Sequence, residues 1–150
     1  MLWLFENTHV EILPEDCVGF VYCITNNISG RKYIGKKLSK FSKTTYKVVK
    51  LKNGTKKRKK IRSKVDSDWQ QYTGSSIELN KDIEQLGIEN FTREILYYCK
   101  TKSECSYIEA REQFKHRVLE SDDYYNSWIS CKIHKNHVKM LHDVDKKDKA

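Results

Sequence analysis

From Cys17 to Val65 the chain carries sixteen Lys and Arg and not one Asp or Glu. Such a block cannot be packed into a core, because a buried cation without a partner costs more than its stem recovers. At its centre, residues 44–62, bases outnumber apolar side chains. Tyr46, Val48, Val49 and Leu51 lead into Asn53-Gly54, the pairing that most favours a type I′ turn, and Thr55 to Arg62 returns. The stretch is therefore expected to form a β-hairpin, wet on both faces, projecting as an insertion over about 40–64. The rest of the chain leans the other way. Residues 1–16 carry a charge of −4 and residues 66–150 a charge of −3, so the net +9 is concentrated in one third of the sequence. A block of this kind suits phosphate backbones, through counterion release and long-range attraction. Its competitors are a solubilising loop, an acidic protein partner and a membrane surface.

A length of 150 residues allows one domain with a short tail, here the charged 143–150. No apolar run approaches the roughly 18–20 residues of a membrane span. Leu2-Trp3-Leu4-Phe5 has no basic residue before it and acids soon after, unlike a signal peptide. With five irregularly spaced cysteines, this predicts reduced thiols and a cytoplasmic protein.

The elements follow from pattern. Residues 1–16 read as a strand or extended arm. Val18–Thr25 is an apolar, β-rich run, Asn26 to Gly30 is turn chemistry, and Arg31 to Gly35 resumes as a strand, so 18–35 predicts a hairpin. Ser75-Ser76 can cap a helix over Ile77–Leu86, which Gly87 would end. Phe91–Cys99 reads as a strand. Thr101 to Glu104 forms a capping-box pattern ahead of a helix over about 102–119, and a short helix is expected over 133–142. The class is α+β, a small mixed or antiparallel sheet flanked by helices. Cys131, His134 and His137 have loose ligand spacing without an evident fourth ligand, and read as surface residues rather than a zinc site.

Tyr22 and Tyr33 lie eleven positions apart in the first hairpin. By themselves they would be packing residues. Their setting, Phe20-Val21-Tyr22 and, ten residues later, Tyr33-Ile34-Gly35, resembles the signature of the GIY-YIG nucleases, in the form FVY…YIG. The order of the later elements is also similar, so that the likeness covers about 18–128: the helix at 77–86, Gly87 to Phe91, a strand, a helix with carboxylates, then Tyr125-Asn126. It is greatest to small phage and homing-type GIY-YIG endonucleases.

The resemblance implies metal-dependent hydrolysis of phosphodiester bonds in double-stranded DNA. It implies one Mg²⁺ or Mn²⁺ held mainly by a single helix-borne Glu, with Tyr22 and Tyr33 near the attacking water and Asn126 orienting the site. Lys36 and Lys37 would supply the cations needed to lower a tyrosine pKa. For the metal, Glu112 is favoured over Glu109: Glu112-Gln113-Phe114 fits the family's run, and a helical wheel with Ala110, Phe114 and Val118 inward turns Glu109 to solvent. The family's phosphate-gripping Arg falls on Lys43; Arg58 and Arg62 are candidates for its role, and Lys36 or Lys37 could take it as point charges without the bidentate fork. Lys43, Lys56, Lys57, Arg58, Lys59, Lys60 and Arg62 are the expected nucleic-acid contacts, with Trp69 and Tyr72 either packing or joining them. A long target would be read by the hairpin or by a homodimer. The competing class is a non-catalytic nucleic-acid-binding protein that retains the fold.

Overall fold

A computed structural model describes residues 2–139 and 141, so the 143–150 tail lies outside the described residues. The expected hairpin is present over Gly19–Asn26 and Lys32–Leu38, and two short strands precede it. In chain order the strands are β1 Trp3–Phe5, β2 Thr8–Val10, β3 Gly19–Asn26, β4 Lys32–Leu38, β5 Lys40–Lys50, β6 Lys56–Asp66 and β7 Phe91–Cys99. The helices are α1 Ile77–Leu86 and α2 Lys102–Lys115. Five strands form one mixed sheet in the order β2-β1-β7-β3-β4, and β5 pairs only with β6. All pairs are antiparallel except β1 with β7.

The N-terminal arm is a hairpin because Glu6 and Asn7 both take positive φ, as a type I′ turn requires. It docks in parallel on β7, burying Trp3 against Phe20 and Tyr22. Each face of the central strands then has its own core. Trp3, Phe20, Tyr22, Ile24, Trp69, Leu79 and Phe91 pack on the α1 side. Val21, Ile34, Cys99, Cys105, Ile108 and Val118 pack on the α2 side. Large side chains of this kind each stabilise the fold by about 1.5–3 kcal/mol when fully buried. The β4 edge of this sheet lies beside the α1 N-terminus and α2, and the segment from Asp123 to Asn126 bonds along it.

Ser76 caps α1 by accepting from the Leu79 N–H, and the Gly87 N–H closes the last turn on the Ile83 carbonyl. Thr101 caps α2. That helix stops at Lys115 rather than 119, because Arg117 adopts φ 53° and the Val118 N–H reaches back to the Gln113 carbonyl. Of the helix expected over 133–142, part of which lies outside the described residues, Lys135–Val138 is a 3-10 turn capped by His134, whose backbone N–H donates to His137 Nδ1.

The basic hairpin is longer than expected, two 11-residue arms exposed throughout. Its turn is not type I′. A three-residue connection, Lys52-Asn53-Gly54, joins the Leu51 and Thr55 pair, with Gly54 at φ 85° and Asn53 not among the positive-φ residues. The root is clamped to the body. The Ser39 N–H and hydroxyl donate to the Val18 and Cys17 carbonyls, and the Ser67 N–H and hydroxyl donate to the Ser39 and Leu38 carbonyls.

Candidate active site

In β3 and β4 the register sets Tyr22 opposite Gly35. The Tyr22 ring lies directly over that glycine: a Cβ there would stand 2.6 Å from the Tyr22 hydroxyl oxygen and 2.9 Å from atoms of both tyrosine rings. Gly35 is thus the space in which the two tyrosines pack, their ring centroids 6.2 Å apart. Tyr22 is only 1% exposed. Burial, reinforced by Tyr33 and Tyr72, holds its phenol well above 10. Tyr33 is partly exposed and shares a 2.9 Å hydrogen bond with Ser75 at the start of α1. Burial raises its phenol as well, with the Ser75 bond pulling partly back. Both phenols are thus raised, whereas Lys36 and Lys37 were expected to lower one of them.

A cleft of about 520 Å³ opens along the β4 edge between the α1 N-terminus, α2 and the loop after Tyr124. Tyr33, Ser75, Glu109, Gln113, Asn126 and Trp128 line it. Asn126 grips the edge strand: its side chain accepts from the Ile34 N–H at 3.0 Å and donates to the Ile34 carbonyl at 2.8 Å. Gln113 donates to the same carbonyl at 2.9 Å. Tyr33 and Gly35 are therefore held from both sides through the residue between them.

The α2 carboxylate that lines the cleft is Glu109, opposite Glu78 of α1, which corrects the expectation that Glu109 faces solvent. The buried stripe of α2 runs through Cys105, Ile108 and Gln113, whereas Phe114 is 66% exposed. Ala110 and Val118 are buried as the wheel had them, but Phe114 is not, and the inference that Glu109 faces solvent fails with it. Burial pushes the Glu109 carboxyl above its ordinary range, opposed by the charge and backbone N–H of Lys36. Glu112 is turned from the cleft and lies 3.5 Å from His116 and 3.7 Å from Arg111.

The two lysines after the motif separate, because successive strand residues point to opposite faces. Lys36 donates to the Ser106 hydroxyl at 2.6 Å, one turn before Glu109. Lys37 goes to the other face, where it pairs with Asp68 at 2.6 Å and stacks on Tyr72 and Phe41. It is thus a tie between the body and the hairpin root, not a cleft residue. Trp69 is core, and its carbonyl accepts from the Trp3 indole. Tyr72 packs against Tyr22. Of the two readings left open for these rings, the structure shows packing. Lys43, Lys56, Lys57, Arg58, Lys59, Lys60 and Arg62 stand exposed on the hairpin.

Several cleft residues carried no signal in the sequence. Trp128, 74% exposed at the mouth, is one. Arg31, behind the lining, carried none either: it pairs with Glu78, donates to the Asp122 carbonyl and lies 4.1 Å over the Tyr125 ring. Tyr125 in turn donates to Asp82 and accepts from Asn26, tying the Asn126 loop to α1 and β3.

Could the cleft hold the expected ion? Among the described residues no three His, Cys, Asp or Glu cluster as a ligand cage. What the cleft offers is a partly desolvated carboxylate beside hydroxyl oxygens. That donor set fits a hard divalent cation such as Mg²⁺, which retains several waters and needs few protein ligands.

Two tyrosines packed through a glycine on adjacent strands, with a helix carboxylate and an edge-gripping Asn, define a nuclease-type α+β domain. Residues 3–129 match the family described as the putative endonuclease segE GIY-YIG domain, and the chain belongs to that GIY-YIG family. Neither a curated protein nor a solved structure matches it.

Proposed function

We propose that this protein is a divalent-metal-dependent DNA endonuclease that hydrolyses a phosphodiester bond in the β4-edge cleft. The supporting observation is that Tyr33, Glu109 and the Asn126 clamp on Ile34 meet in that one cleft. Glu109 would hold the Mg²⁺ or Mn²⁺. When bound, the ion supplies charge stabilisation to the phosphoryl oxygens.

The remaining work falls to the chain. Tyr33 is a neutral phenol at physiological pH, so it acts as a relay rather than a standing phenolate: its oxygen takes the attacking water's proton while its own proton passes to the Ser75 hydroxyl and on to solvent. Tyr22, sealed from solvent, positions the Tyr33 ring and does not touch substrate. The Lys36 ammonium and the Arg31 guanidinium are the cations placed to meet phosphate, the latter by exchanging Glu78 for the substrate. Asn126 and Gln113 keep the β4 edge from shifting as substrate binds.

The test is incubation of purified protein with supercoiled plasmid. Nicked or linear product with Mg²⁺, and none with EDTA, supports the reading. Tight binding without cleavage under Mg²⁺ and Mn²⁺ would favour a non-catalytic DNA-binding protein on the same fold.

A further inference from the structure

The basic hairpin has two unlike faces. Strand residues two apart share a face, and the β5–β6 register places even-numbered residues opposite even-numbered ones. On the even face, β6 presents an unbroken row, Lys56, Arg58, Lys60, Arg62 and Lys64. Across from it stand Ser42, Thr44, Tyr46, Val48 and Lys50. Both arginines of the ribbon lie here, and the Arg58 guanidinium is propped 4.2 Å over the Tyr46 ring. The odd face differs. Phe41 sits opposite Val65 and Thr45 opposite Ile61, with Val49 further out, and its lysines, at 43, 47, 57 and 59, are interrupted by these apolar pairs.

We propose that the even face of this hairpin lies against duplex DNA in the major groove, with the odd face turned outward. This rests on the DNA substrate proposed for the cleft and adds the element, the face and the groove. Three physical facts support it. A two-stranded ribbon has the width the major groove admits, about 12 Å. Arms of 11 residues at about 3.4 Å each span about 37 Å, close to one turn of duplex. A row of five cations spaced about 7 Å apart tracks a phosphate backbone, and arginine forks can in addition reach guanine edges on the groove floor. The clamped root, with Ser39, Ser67 and Lys37 bonded to the body, keeps the ribbon in a set direction relative to the cleft. Cleavage would then fall to one side of the contacted turn.

The experiment is anisotropy of a labelled duplex of about three turns in EDTA, where binding is read without any dependence on cleavage. An even-face variant replaces Lys56, Arg58, Lys60, Arg62 and Lys64 with Gln. An odd-face variant replaces Lys43, Lys47, Lys57 and Lys59 with Gln. All these side chains are exposed, so circular dichroism and melting temperature should match the parent for both. The even-face variant should flatten the slope of log K against log salt by about 4–5, removing about a 500-fold fall in affinity between about 50 and 200 mM salt. The odd-face variant should change the slope by about 1 or less. Guanine N7 methylation should interfere with binding over about one turn. Equal loss per charge from the two faces, no loss from either, or the absence of N7 interference would each overturn the proposal. Cleavage failing while these binding results hold would refute the nuclease reading alone.

Discussion

Replacing Gly35 by Ala adds one methyl where the structure has no room for it. The new Cβ would stand 2.6 Å from the Tyr22 hydroxyl and 2.9 Å from Tyr22 Cζ and Tyr33 Cε1. Relief by a swing of the Tyr22 ring is blocked by Trp3, Phe20 and Tyr72, each in edge contact with it. The backbone at Gly35 is not in the left-handed region, so the cost is steric and not conformational. Overpacking of this size costs about 1–3 kcal/mol. In a chain of this length that lowers Tm by about 3–10 °C. The rate should suffer more than the fold. Displacing Tyr33 by about 1 Å from its Ser75 partner can cost about 10²-fold. Calorimetry and plasmid cleavage measure the two effects. Adding Tyr22→Phe removes the nearest atom, so the double variant should recover part of the lost stability, a coupling that a double-mutant cycle reads directly. Gly35→Ala with unchanged Tm and full activity would refute the packing account of the motif glycine.

Tyr33→Phe keeps the ring and removes the relay, and should lower kcat by about 10²–10⁴ with Tm little changed. Tyr22→Phe should act mainly on stability and its pH dependence. Because burial holds the Tyr22 phenol well above 10, the unfolded chain ionises near pH 10 while the fold does not. Stability supplied by the neutral phenol is therefore complete below about pH 10 and lost as pH rises beyond it, and Tyr22→Phe should flatten that alkaline fall in urea midpoint. Asn126→Ala removes both bonds to Ile34 and leaves a buried carbonyl to Gln113 alone, at a cost of about 1–3 kcal/mol and a kcat loss that exceeds any change in DNA affinity.

Local chemistry was legible where the sequence states its own partners. The β3–β4 hairpin, α1 between Ser76 and Gly87, and β7 stand where pattern puts them. Three features escaped for a common reason, that their cause lies elsewhere in the chain. The Glu6-Asn7 turn lacks a glycine, and its hairpin is held by parallel pairing to the distant β7. The end of α2 depends on Arg117 in a conformation its side chain does not advertise. The choice between Glu109 and Glu112 turned on which apolar residues face the sheet. Phe114 would ordinarily be assigned inward, yet Gln113 takes that place because the Ile34 carbonyl at the sheet edge needs a donor. Lys37 was misread similarly. The charge of Lys37 suggested a cleft cation, while Asp68 had already engaged it, and the ring of Trp69, left open between packing and contact, lies in the core.

That the β4-edge cleft is catalytic, with Glu109 its metal carboxylate, is tested most directly by paired carboxamide variants. Glu109→Gln and Glu112→Gln are measured in parallel for plasmid cleavage in Mg²⁺ and for duplex binding in EDTA. Glu109→Gln should abolish cleavage with binding nearly unchanged, while Glu112→Gln, which loses only its contacts to His116 and Arg111, should keep most of the activity. An active Glu109→Gln beside an inactive Glu112→Gln would contradict that assignment.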